Sequence, residues 1–234
     1  MTHEFPIHLW RLTGPDDAVA RMAAHLSEDE AARAARFVFD RDRRAYILGR
    51  GRLREILGAE MGRAPAAVRF GYGAHGKPFV TGGPWFNLSH SDGIACLSLH
   101  PSMDFGLDIE AFRQIEDGVA ERFFSATEYA SLSALPSDQW TAGFFRCWTR
   151  KEAVVKAMGD GLSIPLDAFD VTLRPGDAPL MTRLDPALGQ AADWQLAHFE
   201  LGPDMVGALA VRAPGEVTLR CVDCPPGLHF HAPA

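Results

Sequence analysis

Apolar and polar positions change period in the same way in both halves of this chain. After Ser27-Glu28-Asp29-Glu30 comes AARAARF, and after Ser125-Ala126-Thr127-Glu128 comes YASLSAL. Both openings are capping boxes, in which a serine caps a helix and a glutamate three residues on reaches back to it. A helix is predicted at each. Longer helices follow in AYILGRGRLREILG and FFRCWTRKEAVVKAMG, where apolar residues recur at helical spacing until Gly58 and Gly159. Short apolar segments then predict strands over 68–70, 86–89 and 94–99 in the first half, and over 169–173, 194–198 and 208–211 in the second.

The order repeats: capped helix, long helix, small meander. Phe86-Asn87-Leu88-Ser89-His90 even echoes Trp194-Gln195-Leu196-Ala197-His198. We therefore expect an α+β fold of two pseudo-symmetric tandem subdomains, each with helices on a small, mainly antiparallel sheet. The joint is expected between residues 99 and 106, giving subdomains 1–103 and 104–234 with a ligand site at their seam.

Composition narrows the class. With 234 residues, 47% apolar and 23% charged, the chain is an ordinary soluble globular protein. The start MTHEFPIHLW has no basic segment before an apolar run, and no stretch nears the roughly 18 apolar residues of a membrane span. A reducing, cytoplasmic location is expected. A net charge of -7 argues against nucleic acid. Yet Arg33, Arg36, Arg41, Arg43, Arg44, Arg50, Arg52 and Arg54 crowd one segment, opposed there only by Asp40 and Asp42. Such a patch suits a small polyanion or an acidic partner. Cys96 and Cys147 read as core residues, and Cys221-x-x-Cys224 with His229 and His231 is not a usual zinc spacing.

Three segments carry chemistry. In Gly106-Leu107-Asp108-Ile109-Glu110 a strand would send Leu107 and Ile109 inward and leave Asp108 and Glu110 on one face, about 7 Å apart and able to chelate one hard cation. In Trp148–Lys156 a helix sets Glu152 and Lys156 four residues apart on one face, among apolar neighbours. In Trp85-Phe86-Asn87-Leu88-Ser89-His90-Ser91, Ser89 and His90 end an apolar strand. Adjacent strand residues face opposite ways, which excludes a serine–histidine nucleophile pair. Upstream, His75-Gly76-Lys77-Pro78 presents a lysine in a turn, as a phosphate contact requires.

Taken in order, GKP…WFNLSHS, FGLDIE and FFRCWTRKEAVVKAMGDGL resemble the three motifs of the phosphopantetheinyl transferase superfamily, in its surfactin-synthetase-activating branch. ERFFSATEY and LSIPLDAF extend the likeness over most of the chain. The resemblance implies transfer of 4'-phosphopantetheine from coenzyme A to a serine of an acyl- or peptidyl-carrier protein. It implies Mg2+ held by Asp108, Glu110 and Glu152, Glu152 as general base and Lys156 steadying the leaving oxygen. Coenzyme A phosphates would meet Lys77, Ser89, His90, Arg33 and Lys156. Glu30 stands where that branch has a lysine, so the basic role would pass to Arg43, Arg44 or Arg50. A duplicated unit implies a monomer. Competing readings are a magnesium-dependent phosphodiesterase and an inactive carrier-binding module.

Overall fold

A computed structural model describes residues 1–159 and 164–232. The first half runs β1 (Thr2–Arg11), α1 (Asp16–Ala23), α2 (Glu28–Ala34), α3 (Asp40–Glu60), β2 (Phe70–Tyr72), β3 (Pro78–Val80), β4 (Trp85–Ser91) and β5 (Ile94–His100). The second runs β6 (Phe105–Ala111), α4 (Val119–Phe123), α5 (Ala126–Ser133), α6 (Ser137–Met158), β7 (Phe169–Val171), β8 (Met181–Leu184), β9 (Trp194–Leu201), β10 (Met205–Arg212), β11 (Glu216–Asp223) and β12 (Phe230–His231).

Two four-stranded sheets carry the fold, in the orders β11-β1-β5-β4 and β12-β9-β10-β6. The units correspond. β1 and β6 each open one, and each pairs antiparallel with the second strand of a later hairpin, β4–β5 or β9–β10. The echo between residues 86–90 and 194–198 thus falls on equivalent strands. Both capping boxes form, at Ser27 with Glu30 and at Ser125 with Glu128.

The layers stack as helix, sheet, sheet, helix. Strand alternation makes this possible, because each central strand can feed two cores. On β5, Leu97 and Leu99 pack with Leu53 and Leu57 of α3. Ile94 and Cys96 on its other face join Phe5 and Ile7 of β1 and Leu107 and Ile109 of β6 in a core between the sheets. Each such buried side chain stabilises the fold by about 1.5–3 kcal/mol. Val154 and Val155 of α6 pack against Val206 and Ala208 of β10.

Several sequence expectations are corrected. Residues 65–67 form a 3-10 turn, so the strand expected over 68–70 begins at Phe70. The strand expected over 169–173 stops at Val171. The long helices start earlier than expected, at Asp40 and Ser137. β1, α1, α4 and β11 were not expected, and β11 returns from the end of the chain to pair in parallel with β1. The Asp160-Gly161-Leu162 end of the third motif lies outside the described residues. Among the described residues, no helix is long and apolar enough to cross a membrane.

Candidate active site

The seam lies where β4, the outer strand of the first sheet, runs beside β6, the outer strand of the second. No backbone ladder joins them. Polar side chains of β4 take the β6 amides instead: Asn87 Oδ1 accepts from Leu107 N at 3.0 Å, Ser89 Oγ from Ile109 N at 3.3 Å, and Ser91 Oγ from Ala111 N at 3.0 Å. Buried amides need such partners. Helix α6 closes the site from the side. It can do so because Gly106 has no Cβ; a Cβ there would overlap the Ala153 carbonyl. Gly159, at φ 77°, then ends the helix.

Asp108 is 5% exposed. Its Oδ1 accepts from Ser89 Oγ at 2.8 Å and from Lys156 Nζ at 2.6 Å, whereas Oδ2 is buried with no partner among the described residues. Burial pushes this carboxyl upward, and Lys156 and Ser89 only partly offset that. Glu110 Oε2 accepts from Ser91 Oγ at 2.9 Å and from Arg113 at 2.7 Å.

Although one helical turn apart on α6, Glu152 and Lys156 do not bond to each other. Lys156 Nζ turns to the sheet, where Asp108, Leu107 O at 3.1 Å and Ser89 Oγ at 3.2 Å converge on it. Three acceptors outbid one carboxylate on the same helix. Glu152 makes no hydrogen bond or ion pair with the described residues, and burial, then the charge of Asp108, raises its pKa. A cleft of about 280 Å³ adjoins it, lined by His75, Lys77, Asn87, Glu152 and Lys156 among others.

The remaining expected contacts are arranged differently. Lys77 lines the cleft, but its ammonium bonds the Asp104 carboxylate, Phe105 O at 3.1 Å and Lys156 O at 2.7 Å. It thereby ties the end of α6 to the start of β6. Ser89 is buried toward β6 and His90 is exposed on the other face of β4, as strand alternation requires.

In the first half, Arg43 is held by Asp40 at 2.5 Å and Arg44 by Asp16 at 2.6 Å. Arg33 lies over the Tyr46 ring, 5.4 Å from its centre. Arg50 is 2.5 Å from Glu30, and Arg54 2.6 Å from the same residue. Glu30 is therefore a buried structural acid. Burial alone would raise its pKa, but Arg54, the Ser27 amide and Arg50 outweigh that and hold it down. Its counterpart is Glu128, which pairs with buried Lys151 at 2.8 Å. Arg54 bonds the carbonyls of Pro65 and Val68, and Lys151 those of Leu166 and Phe169. The apparent departure at Glu30 is thus one copy of a duplicated buried ion pair.

Asn87, Ser91 and Arg113 were not among the expected site residues. The signal for Asn87 and Ser91 lies in the polar positions 87, 89 and 91, two apart on a strand and able to face a second strand of the same period, whereas Arg113 has no such local signal.

Among the described residues, no three of His, Cys, Asp and Glu stand close enough to hold a metal ion as they are. The donors nevertheless fit a hard cation. Asp108 Oδ2 is orphaned, Asp108 and Glu110 both raise the pKa of Glu152, and Glu110 raises that of Asp108. Magnesium takes one or two carboxylates with water and substrate phosphates rather than a full protein cage.

Comparisons with known proteins bear on this arrangement. Residues 104–210 match the family described as the 4'-phosphopantetheinyl transferase superfamily, and residues 10–102 match "4'-phosphopantetheinyl transferase, N-terminal". The chain is 41% identical over 218 residues to the 4'-phosphopantetheinyl transferase HetI of Nostoc sp., covering 89% of each. It is 34% identical over 155 residues to the 4'-phosphopantetheinyl transferase Sfp of Bacillus subtilis, covering 65% of this chain and 69% of that one.

Proposed function

The chain belongs to the 4'-phosphopantetheinyl transferase superfamily, and from that premise we propose how its seam moves the phosphopantetheine arm of coenzyme A onto a carrier-protein serine. The observation that carries the assignment of roles is the meeting of Ser89, Asp108 and Lys156 from three elements, with Asp108 Oδ2 and Glu152 beside them unpartnered among the described residues.

In this mechanism Glu152 accepts the proton of the attacking serine hydroxyl. A half-buried carboxylate with a raised pKa and no partner among the described residues suits that task better than one already bonded. The serine oxygen forms the new bond to the phosphorus that bears the pantetheine arm. The bond from that phosphorus to the oxygen of adenosine 3',5'-bisphosphate breaks, and Lys156 meets the charge on the departing oxygen. Asp108, Glu110 and Glu152 would hold Mg2+. When bound, the ion neutralises pyrophosphate charge and makes the phosphorus more electrophilic. Lys77, Ser89, His90, Arg33, Arg44 and Lys156 remain the proposed coenzyme A contacts; for Lys77, Arg44 and Lys156 this requires exchanging or sharing an internal carboxylate with phosphate. We place the subdomain joint at 103/104, in the turn between β5 and β6, and propose a cytoplasmic monomer.

Mass spectrometry of an apo-carrier incubated with the protein, Mg2+ and coenzyme A tests the reaction. One phosphopantetheine, about 340 Da, should be added to the carrier. Release of free 4'-phosphopantetheine with an unmodified carrier would instead identify a phosphodiesterase.

A further inference from the structure

β4 does more than close the seam. Its two serines are wired alike. Ser89 Oγ accepts from Ile109 N at 3.3 Å and donates to Asp108 Oδ1 at 2.8 Å. Ser91 Oγ accepts from Ala111 N at 3.0 Å and donates to Glu110 Oε2 at 2.9 Å. The partners step together, Ser89 with 108 and 109, Ser91 with 110 and 111, so the strands run parallel and in register.

This wiring fixes the proton. A backbone amide can only donate, so each serine oxygen must accept from it. The hydroxyl hydrogen is then free for the neighbouring carboxylate, which accepts it best when ionised. The same carboxylate oxygen also takes a cation, Lys156 on Asp108 and Arg113 on Glu110. Glu110 needs the serine more. Arg113 is the more exposed cation, its side chain 57% accessible, and it lies i, i+3 from Glu110, so its grip is that of a surface pair. Lys156, at 29%, holds the deeper Asp108.

We propose that Ser91 is a positioning residue for the cation site, setting the orientation of Glu110 through its hydroxyl; this rests on the metal assignment made above. A hydroxyl on the adjoining strand fixes a ligand carboxylate as other outer hydrogen-bond partners do, and loss of such partners typically weakens metal binding by roughly 10–100-fold.

Threonine and valine have the same shape and both favour strands, but only threonine keeps the hydroxyl. Mn2+ should be titrated into the full chain with coenzyme A present and followed by electron paramagnetic resonance. Ser91→Val should weaken Mn2+ binding by roughly tenfold or more, and Ser91→Thr should hold it near the wild-type value. Thermal melting of each variant separates this from a general loss of fold. If Ser91→Val does not fold, Ser91→Ala replaces it with the same expected loss. Equal Mn2+ affinity in the hydroxyl-bearing and hydroxyl-free variants overturns the role of Ser91, while the metal assignment stands if Asp108→Ala abolishes binding. No Mn2+ binding by the wild-type protein overturns both.

Discussion

Glu152 sits in a conflict that separates function from stability. Burial and the charges of Asp108 and Glu110 make its ionised form costly in the fold. A carboxyl whose pKa rises on folding stabilises the native state while protonated. That contribution is full below the ordinary value of 4.5 and is lost as pH climbs through the raised value. Glu152→Gln removes the loss. Without Mg2+, the variant should melt above the wild type at pH 8, and the gap should narrow toward pH 4.5. Turnover should fall by about 10²-fold or more, the scale of general-base catalysis. Turnover within tenfold of wild type would remove Glu152 from that role. At this scale the acidic and basic residues that meet at the seam were legible in residue types and spacing, and the roles proposed for them came from the family resemblance. The partners were not: helical spacing offers Glu152 to Lys156, and only the third dimension brings Asp108 closer. Glu30 shows the same limit, since its capping box is written locally but Arg50 and Arg54 lie twenty and more residues away.

Between elements, the contact that matters most is α6 on β6, because it sets Lys156 and Glu152 over Asp108. Gly106 permits it. Gly106→Ala forces the new methyl into the Ala153 carbonyl, which is backbone and cannot rotate aside. Overpacking of this kind costs about 1–3 kcal/mol, and relief requires α6 to lift from the sheet. Chemical denaturation should show that loss. Activity of the folded fraction should fall further, because the Lys156–Asp108 distance lengthens. Activity lost only in proportion to unfolded protein would show that α6 tolerates the shift. The two capped helices, the two long helices and the strands of both hairpins were readable because their periods, 3.6 and 2, are local properties. β1 was missed although Phe5, Ile7 and Leu9 alternate and are buried, because Pro6 interrupts the pattern. β11 alternates between exposed and half-buried positions, a weak apolar signal.

Across the whole molecule, duplication should generate two seams. One is β4 beside β6, where the site lies. Its counterpart would place β1 beside β9. There β11 pairs with β1 and approaches β9, while β12 pairs with β9. Among the described residues, β11 and β12 fill this second seam, whereas no further strand fills the first. A chain cut before Glu216 should lose the β1 pairing and unfold more readily, with concentration-dependent association in sedimentation. A truncated chain that stays monomeric and melts like the full one would show that β11 is dispensable. The same strand imposes an order on biosynthesis. β1 leaves the ribosome long before β11, and one of its edges finds its partner only when the residues around 216–223 emerge. Until then that edge is an open template for other nascent chains. Crowding of polysomes and the availability of chaperones should therefore affect the yield of this protein.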